Sequence, residues 1–462
     1  MAKNTKHGEG ITRREFVASA VAASAAAGAA SGETRARPPA RPNVLYVMAD
    51  DLGWGDLSCY GRPDYRTPNL DRLAAEGVRF TQAYSASAVC TPTRCAFVTG
   101  RYPARTAVGL EEPVVAREAL RRQGRDPGLP PEHPTVASLL KAAGYRTALV
   151  GKWHLGYLPK YSPIKSGFDE FFGIMSGAGD YFTHRDPDGE ADLFEAETPV
   201  ERVGYMTDLI TERAVEYLRR QKRGAPFFLS LNYTAPHWPW EGPRDEAVSQ
   251  TLAGRGRLAF TSGGSLKTYA GMMRSLDSGV GRVLRALADS GHARSTLVVF
   301  TSDNGGERFS FNWPFRGQKY DLYEGGIRVP ALVRWPGVVP AGRTTEQVAV
   351  TMDWTATFLA AAGARAHPGY PLDGQNLLPA LRGERPAFPR TLFWRIGAQA
   401  AARSGDWKYL KVDEKTEHLF DLSADAREQA DSRNSQGEVF ERLRAEYLGW
   451  EAQMLKRPAR AN

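Results

Sequence analysis

Six short stretches of this sequence hold residues that could do chemistry together. Asp50-Asp51 and Asp303-Asn304 offer three carboxylates and an amide oxygen. Oxygen donors of this kind suit a hard divalent cation, calcium first and magnesium second. An asparagine at 304, where a zinc or two-metal site would more naturally present histidine, argues against a soft metal. Cys90-Thr91-Pro92-Thr93-Arg94 joins a thiol to a guanidinium four residues on. Pro92 suits the first position of a helix, Thr91 the cap before it and Gly100 the residue past its end. Cys90 then falls at a helix N-terminus, where free N–H groups and the helix dipole favour anions. Arg94 can fork onto a tetrahedral oxyanion. Taken alone, the pentapeptide reads equally as a buried structural cysteine beside a surface arginine. Lys152 and Lys319 can supply the positive charge that a single cation leaves wanting on a transferring group. His154 and His237 are the acid–base candidates.

These residues need elements that bring them together. Asn43 to Ala49 is a short apolar run that ends in Asp50-Asp51. Tyr145 to Val150 ends in Gly151-Lys152-Trp153-His154, and Pro226 to Asn232 leads to Pro236-His237. Thr296 to Phe300 leads through Thr301-Ser302 to Asp303-Asn304. Continuous apolar runs of this length predict strands buried on both faces. Helical periodicity runs over Thr135 to Ala143, Thr207 to Arg220 and Leu266 to Ser290, with Gly144 and Gly291 placed at two of the ends. Strand and helix alternate, which predicts an α/β fold: a large mixed sheet flanked by helices on both faces. Ligands of such sheets sit beyond the carboxyl ends of the strands. All four polar clusters fall at that edge, so they can converge on one site. A lone lysine is ordinarily a solvated charge, but Lys152 follows a buried strand and sits two residues before His154; a lone histidine is ordinarily structural, and two at one sheet edge reverse that reading.

After about residue 385 the pattern changes. Leu392 to Arg395, Trp407 to Leu410 and His418 to Phe420 are short strand-like pieces, and a helical pattern runs from Gly437 to about Leu455. They predict a smaller antiparallel sheet with a closing helix. The proline-rich stretch Arg385 to Pro389 marks the expected boundary, giving a catalytic α/β domain over 41–385 and a C-terminal α+β subdomain over 386–462.

Residues 1–40 are different again. Thr12-Arg13-Arg14-Glu15-Phe16-Val17 precedes a run of Ala, Ser, Gly and Val that is too short and too alanine-rich to span a bilayer. It reads as a removable leader of the twin-arginine type followed by a linker, implying the twin-arginine translocase and a periplasmic or secreted product. No later segment is long and apolar enough to be a transmembrane helix. The chain of 462 residues is 42% hydrophobic and 24% charged, which excludes bulk disorder. Residues 1–40 account for +3 of the net charge of +8, leaving an interspersed +5. That balance gives no basic stripe for nucleic acid and fits an anionic substrate. The three cysteines, Cys59, Cys90 and Cys95, leave at least one thiol unpaired. Cys95 reads as packed core and Cys59 as an inert thiol, with a Cys59–Cys95 disulfide the lesser alternative.

Cys-x-Pro-x-Arg in this setting resembles the signature of the formylglycine-dependent sulfatases, arylsulfatase-like members of the alkaline phosphatase superfamily. Ser87 to Cys90, Thr99 to Pro103, Lys319-Tyr320 and Leu322 to Pro330 resemble that family as well. The resemblance runs from about Asn43 to the C-terminus. It implies that a separate maturation enzyme converts Cys90 to formylglycine (3-oxoalanine), an aldehyde whose hydrate attacks sulfur and later expels sulfate. It implies one divalent cation, usually calcium, held by Asp50, Asp51, Asp303 and Asn304, with the modified Cys90 beside them. It makes Arg94, Lys152, His237 and Lys319 sulfate contacts, His154 the base for collapse of the diol, and His237 with Lys319 the donors to the leaving oxygen. Asp303 would also orient the attacking oxygen. Trp238, Trp240, Tyr181 and His184 occupy loops at the expected mouth, where aromatic walls suit a sugar ring. The expected activity is hydrolysis of a sulfate monoester, with a carbohydrate as the expected carrier. The rivals are a phosphonate monoester or phosphodiester hydrolase on the same scaffold, and a catalytically silent carbohydrate-binding protein.

Overall fold

A computed structural model describes residues 41–252 and 255–457, which form one compact unit. The expected twin-arginine-type leader, residues 1–40, lies outside the described residues. Eleven strands form the large sheet: β1 (Asn43–Ala49), β2 (Val78–Tyr84), β3 (Arg146–Gly151), β4 (Glu170–Ile174), β5 (Leu193–Glu195), β6 (Thr198–Pro199), β7 (Phe227–Asn232), β8 (Thr296–Ser302), β9 (Arg328–Arg334), β10 (Arg343–Thr345) and β11 (Ala349–Val350). Their order is β10-β2-β9-β8-β1-β7-β3-β4-β5-β6, with β11 also on β2. The four apolar runs are the adjacent parallel strands β8, β1, β7 and β3 at its centre. β9 runs antiparallel to β8 and to β2, so the sheet is mixed as expected.

Side chains alternate across β1, as a period of two requires. Leu45, Val47 and Ala49 join the apolar layer on one face. Val44, Tyr46 and Met48 join the layer on the other. Helices α1 (Pro68–Ala75), α4 (Met206–Arg220) and α5 (Leu266–Asp289) cover the first face. Helices α2 (Cys90–Thr99), α3 (Val136–Ala142) and α6 (Thr351–Ala362) cover the second. The ends of α3 follow from its sequence: Thr135 and Ser138 form a reciprocal capping box, and Gly144 follows at φ 87°.

α2 differs from expectation at its start. It begins at Cys90, with Val89 as the capping residue and no side-chain cap, so Pro92 sits in its third position. Thr91 is drawn away from capping: its hydroxyl donates to the His154 carbonyl and accepts from the Val114 N–H. Cys90 still stands at the N-terminus, and Gly100 ends the helix at φ 68°.

The second sheet holds four antiparallel strands, β12 (Thr391–Ile396), β13 (Gln399–Ser404), β14 (Trp407–Lys411) and β15 (Glu417–Asp421), closed by helix α7 (Gly437–Glu451). β13 is absent from the sequence expectation, because Gln-Ala-Ala-Ala-Arg-Ser carries no alternation to read. Its buried alanines join one apolar layer with Ala88, Val89 and Ala96 around the start of α2. A buried Lys408 pairs with Glu324 at 3.0 Å and Glu428 at 2.8 Å, pinning the same sheet to the chain just past Lys319. Among the described residues no helix is long and apolar enough to cross a membrane, and the three cysteines are free thiols.

Candidate active site

The backbone beyond the central strands stays hydrogen-bonded, and this sets the site. The Asp50 N–H donates to the Ala235 carbonyl, that of Asp303 to Ala49 and that of Lys152 to Asn232. The chain leaving each strand end is therefore fixed to its neighbour's. Asp51 and His154 hold left-handed backbone, at φ 61° and 59°. Such strain persists only where the surroundings over-determine it, as at functional sites.

The three carboxylates and three cations form one buried array. Lys152 Nζ lies 2.5 Å from Asp50. Arg94 lies 2.8 Å from Asp303 and 3.5 Å from Asp50. Lys319 Nζ lies 2.7 Å from Asp51 and 3.9 Å from Glu307. The Asn304 amide donates to Asp51, and the Asp51 N–H donates to Asp303. Burial opposes ionisation of Asp303, but Arg94 and Lys152 outweigh it and hold its carboxyl below the usual range. At Asp50 burial and the adjacent Asp303 charge prevail and push its carboxyl up. Burial likewise opposes a charge on Lys319, yet Asp51 keeps its ammonium well above the ordinary range.

A cation fits this array. Asp50 Oδ1 and Asn304 Oδ1 are buried without hydrogen-bond partners, a costly state for polar oxygens. Ligand atoms of Asp50, Asp51, Cys90 and His237 lie within 4.8 Å of one another. Carboxylate and amide oxygens dominate the donors, which is the chemistry of a hard divalent ion. It would relieve the Asp50–Asp303 repulsion and give the array an excess of positive charge.

The histidines are both neutral, for one physical reason. Burial depresses His154 far below its ordinary range, aided by Lys152; burial does the same to His237, aided by Lys319. His154 Nε2 lies 2.8 Å from the Val114 carbonyl, which can only accept, so the proton sits on Nε2. Nδ1 is left as the basic nitrogen, with no partner. His237 Nδ1 lies 2.6 Å from the Trp238 carbonyl and so carries its proton, leaving Nε2 3.5 Å from Asp51. Burial pushes the Cys90 thiol up to about 11 even with Lys152 and Lys319 beside it.

Cys90, His154, His237 and Lys319 line one cavity of about 260 Å³. Asp50, Asp51, Arg94, Lys152, Asp303 and Asn304 are buried beneath them. A sequence model of the sulfatase family matches residues 42–364. The chain belongs to the sulfatase family. A second model, of the N-sulphoglucosamine sulphohydrolase C-terminal region, matches residues 315–446. This sulfatase is 37% identical to human N-acetylgalactosamine-6-sulfatase over 385 residues, 79% of this chain and 71% of that one. It is 35% identical to mouse steryl-sulfatase over 426 residues, 74% of this chain and 65% of that one. The crystal structure of Ps i-CgsB superposes with a TM-score of 0.80 at 32% identity, covering 91% of this chain and 94% of that one. The same protein in complex with k-i-k-neocarrahexaose gives 0.78. The protein is a sulfuric ester hydrolase.

The loops at the mouth divide. Trp238 lines the cavity. Tyr181, 1% exposed, stacks on Tyr205, and its hydroxyl donates to the His237 carbonyl. Its contacts are those of a support beneath the His237 loop rather than of a wall. Trp240 packs edge-on against Phe309, and His184 Nε2 bonds the Gly204 carbonyl; neither lines the cavity. Sequence reasoning missed the segment Pro113–Ala116, whose apolar side chains form one wall and whose Val114 carbonyl fixes the His154 tautomer. Nothing in its residue types signals that role.

Gly177 was missed too. A Cβ there would lie 2.6 Å from His154 Cε1 and Nε2. Gly177→Ala is therefore expected to turn the imidazole and cut turnover roughly a hundredfold, as ångström-scale misplacement of a reacting group does. Steady-state sulfate release, read beside the melting temperature, checks this; wild-type turnover would show that the ring has room to give.

Proposed function

We propose that this sulfatase hydrolyses a sulfate monoester of a carbohydrate, using a formylglycine made from Cys90 and one divalent cation, calcium. The observation that carries the reading is the single cavity in which Cys90, His154, His237 and Lys319 stand over the Asp50, Asp51, Asp303 and Asn304 oxygens. Residues 1–40 are a twin-arginine leader on this reading, residues 41–385 the catalytic domain and residues 386–462 the C-terminal subdomain, so the mature enzyme acts in the periplasm or outside the cell. The carbohydrate assignment draws support from the sulfated-sugar name of the human relative and from the oligosaccharide complex of Ps i-CgsB.

Formylglycine at position 90, once hydrated, supplies the oxygen that attacks sulfur and the route by which sulfate leaves. The remaining work falls to side chains already in place. Arg94 and Lys152 hold the sulfate oxygens from beneath as charge builds on them. Asp303, kept ionised by Arg94, orients the attacking hydroxyl. Lys319, kept protonated by Asp51, and His237 donate to the leaving oxygen. His154, with Nδ1 free, takes the proton that drives sulfate out. A panel of sulfated mono- and oligosaccharides with 4-nitrophenyl sulfate tests the class by release of inorganic sulfate. Faster turnover of matched phosphonate or phosphate esters would replace this reading with the phosphonate hydrolase one.

Gln399 of β13 is read as a positioning residue for Lys319. Its Oε1 accepts from the Leu322 N–H at 2.9 Å, and its Nε2 donates to the Tyr320 carbonyl at 2.8 Å. The clamped segment includes Tyr320 at φ 75°. Gln399→Ala is expected to lower kcat about tenfold for poor leaving groups and less for good ones, since Lys319 acts on the leaving oxygen. A series of aryl sulfates measures it. A loss that is uniform across the series, or confined to KM, would refute the positioning role.

A further inference from the structure

Arg257 is the exposed cation of the cavity mouth. Its guanidinium lies over the Trp238 ring, 5.5 Å from the centroid, and 3.4 Å from the Tyr320 hydroxyl. Trp238 and Tyr320 directly follow His237 and Lys319 in sequence, so Arg257 is held on the side where those two residues meet the leaving group. Stacking on an aromatic face restrains a guanidinium while leaving its edge donors free. Among the described residues no carboxylate lies within 4 Å of it; the nearby Glu307 is turned to Lys319 at 3.9 Å. The lining also includes Asp188, which follows Pro187, the acceptor of the Gly256 N–H beside Arg257, and the apolar side chains of Val114, Val115 and Ala119.

The contrast with the wider cleft of about 1010 Å³ beside the C-terminal sheet is informative. There Lys411 faces Glu414 at 2.9 Å, Arg444 faces Glu417 at 3.5 Å and Arg125 pairs with Glu111. Those cations are already matched, whereas Arg257 is not. A cation restrained at the cavity mouth, with no carboxylate within ion-pair distance, has its donors available to an anion of the substrate.

We infer that Arg257, with the Tyr320 hydroxyl, forms a second anion subsite that takes a sulfate or carboxylate carried by the leaving-group sugar. The sugar's apolar face then rests on the Val114–Ala119 wall and its hydroxyls donate to Asp188. The inference rests on the carbohydrate sulfate reading of this cavity and narrows it to substrates with a second negative charge.

Two matched comparisons test it on the full-length enzyme. One sets N-acetylgalactosamine 6-sulfate against the 4,6-disulfate. The other sets a 6-sulfated uronate-containing disaccharide against the same sugar with its carboxylate reduced to an alcohol. In at least one comparison the doubly anionic member is expected to show about tenfold higher kcat/KM, the worth of one solvent-facing charge-assisted contact, and the pair affected says whether sulfate or carboxylate is read. Arg257→Ala is expected to erase that ratio, Arg257→Lys to keep part of it, and rising salt to shrink it. Calorimetric binding of the same sugars to Cys90→Ala protein, with and without Arg257→Ala, repeats the test without turnover. Equal kcat/KM within both pairs, or an Arg257→Ala loss equal for both members, overturns the inference while sulfate release stands. Failure to bind or turn over any of the sugars, with 4-nitrophenyl sulfate still cleaved, overturns it together with the carbohydrate reading.

Discussion

Sulfate release is expected to fall to background in Cys90→Ala, a loss on the order of 10⁴-fold or more, the scale seen when a covalent nucleophile is removed. The protein itself is expected to stay folded. Cys90 is buried at the first residue of α2 with its side chain lining the cavity, and alanine removes one sulfur atom at a cost of about 1 kcal/mol. The helix start relies on no cap from residue 90, so alanine leaves the chain path unchanged. The decisive readings are sulfate release, melting temperature and the mass of the residue-90 peptide. Retained turnover in Cys90→Ala would sink the mechanism. A wild-type peptide with the mass of unmodified cysteine, in protein that nevertheless turns over, would sink the formylglycine step.

Stripping divalent cations is expected to have the next largest effect. Without a cation, Asp50 Oδ1 and Asn304 Oδ1 stay unsatisfied, and Asp50 sits unrelieved beside Asp303. Lys152 and Lys319 are then held against Asp50 and Asp51 at 2.5 and 2.7 Å, and their charge is spent on carboxylates rather than on substrate. Exhaustive chelation is expected to abolish turnover and lower the melting temperature. Calcium added at about a hundred times its Kd is expected to restore turnover and about 2.7 kcal/mol of stability. Parallel titrations with magnesium and calcium identify the ion by which restores both at the lower concentration. Full activity in chelator-treated, metal-free protein, verified by elemental analysis, would remove the cation from the site.

Three unrelated facts of the chain make these outcomes specific to this site. The two cavity histidines are kept neutral chiefly by burial, with the neighbouring lysines adding to it. The tautomer of His154 depends on a carbonyl in a loop with no catalytic residue of its own. The chain just past Lys319 is clamped at Tyr320 and Leu322 by Gln399 of the second sheet. A substitution in any of these supports acts through geometry, so its effect follows the reacting group it holds.

Much of this protein is legible in its residues alone. Four apolar runs, each ending in a polar cluster, specify four buried parallel strands and one shared edge, because only strands covered on both faces read as continuous apolar sequence. From that edge rule, Asp50, Asp51, Lys152, His154, His237, Asp303 and Asn304 could be assigned to one place before any coordinates. Gly100 and Gly144 mark helix ends for an equally local reason, since left-handed backbone costs glycine little. What the tertiary structure decided is everything that depends on a partner distant in sequence. Strand β13 forms because β12 and β14 pair with it, not because its own residues alternate. Thr91 gave up its cap because His154 and Val114 stood closer to hand. Tyr181 went beneath the His237 loop instead of the mouth, and Gly177, Gln399 and Arg257 stand where they do through side chains that folding brought against them. Residue type and spacing encode short-range preferences; hydrogen-bond partners, tautomers and pairings of buried charge are settled by distances that exist only once the chain is packed.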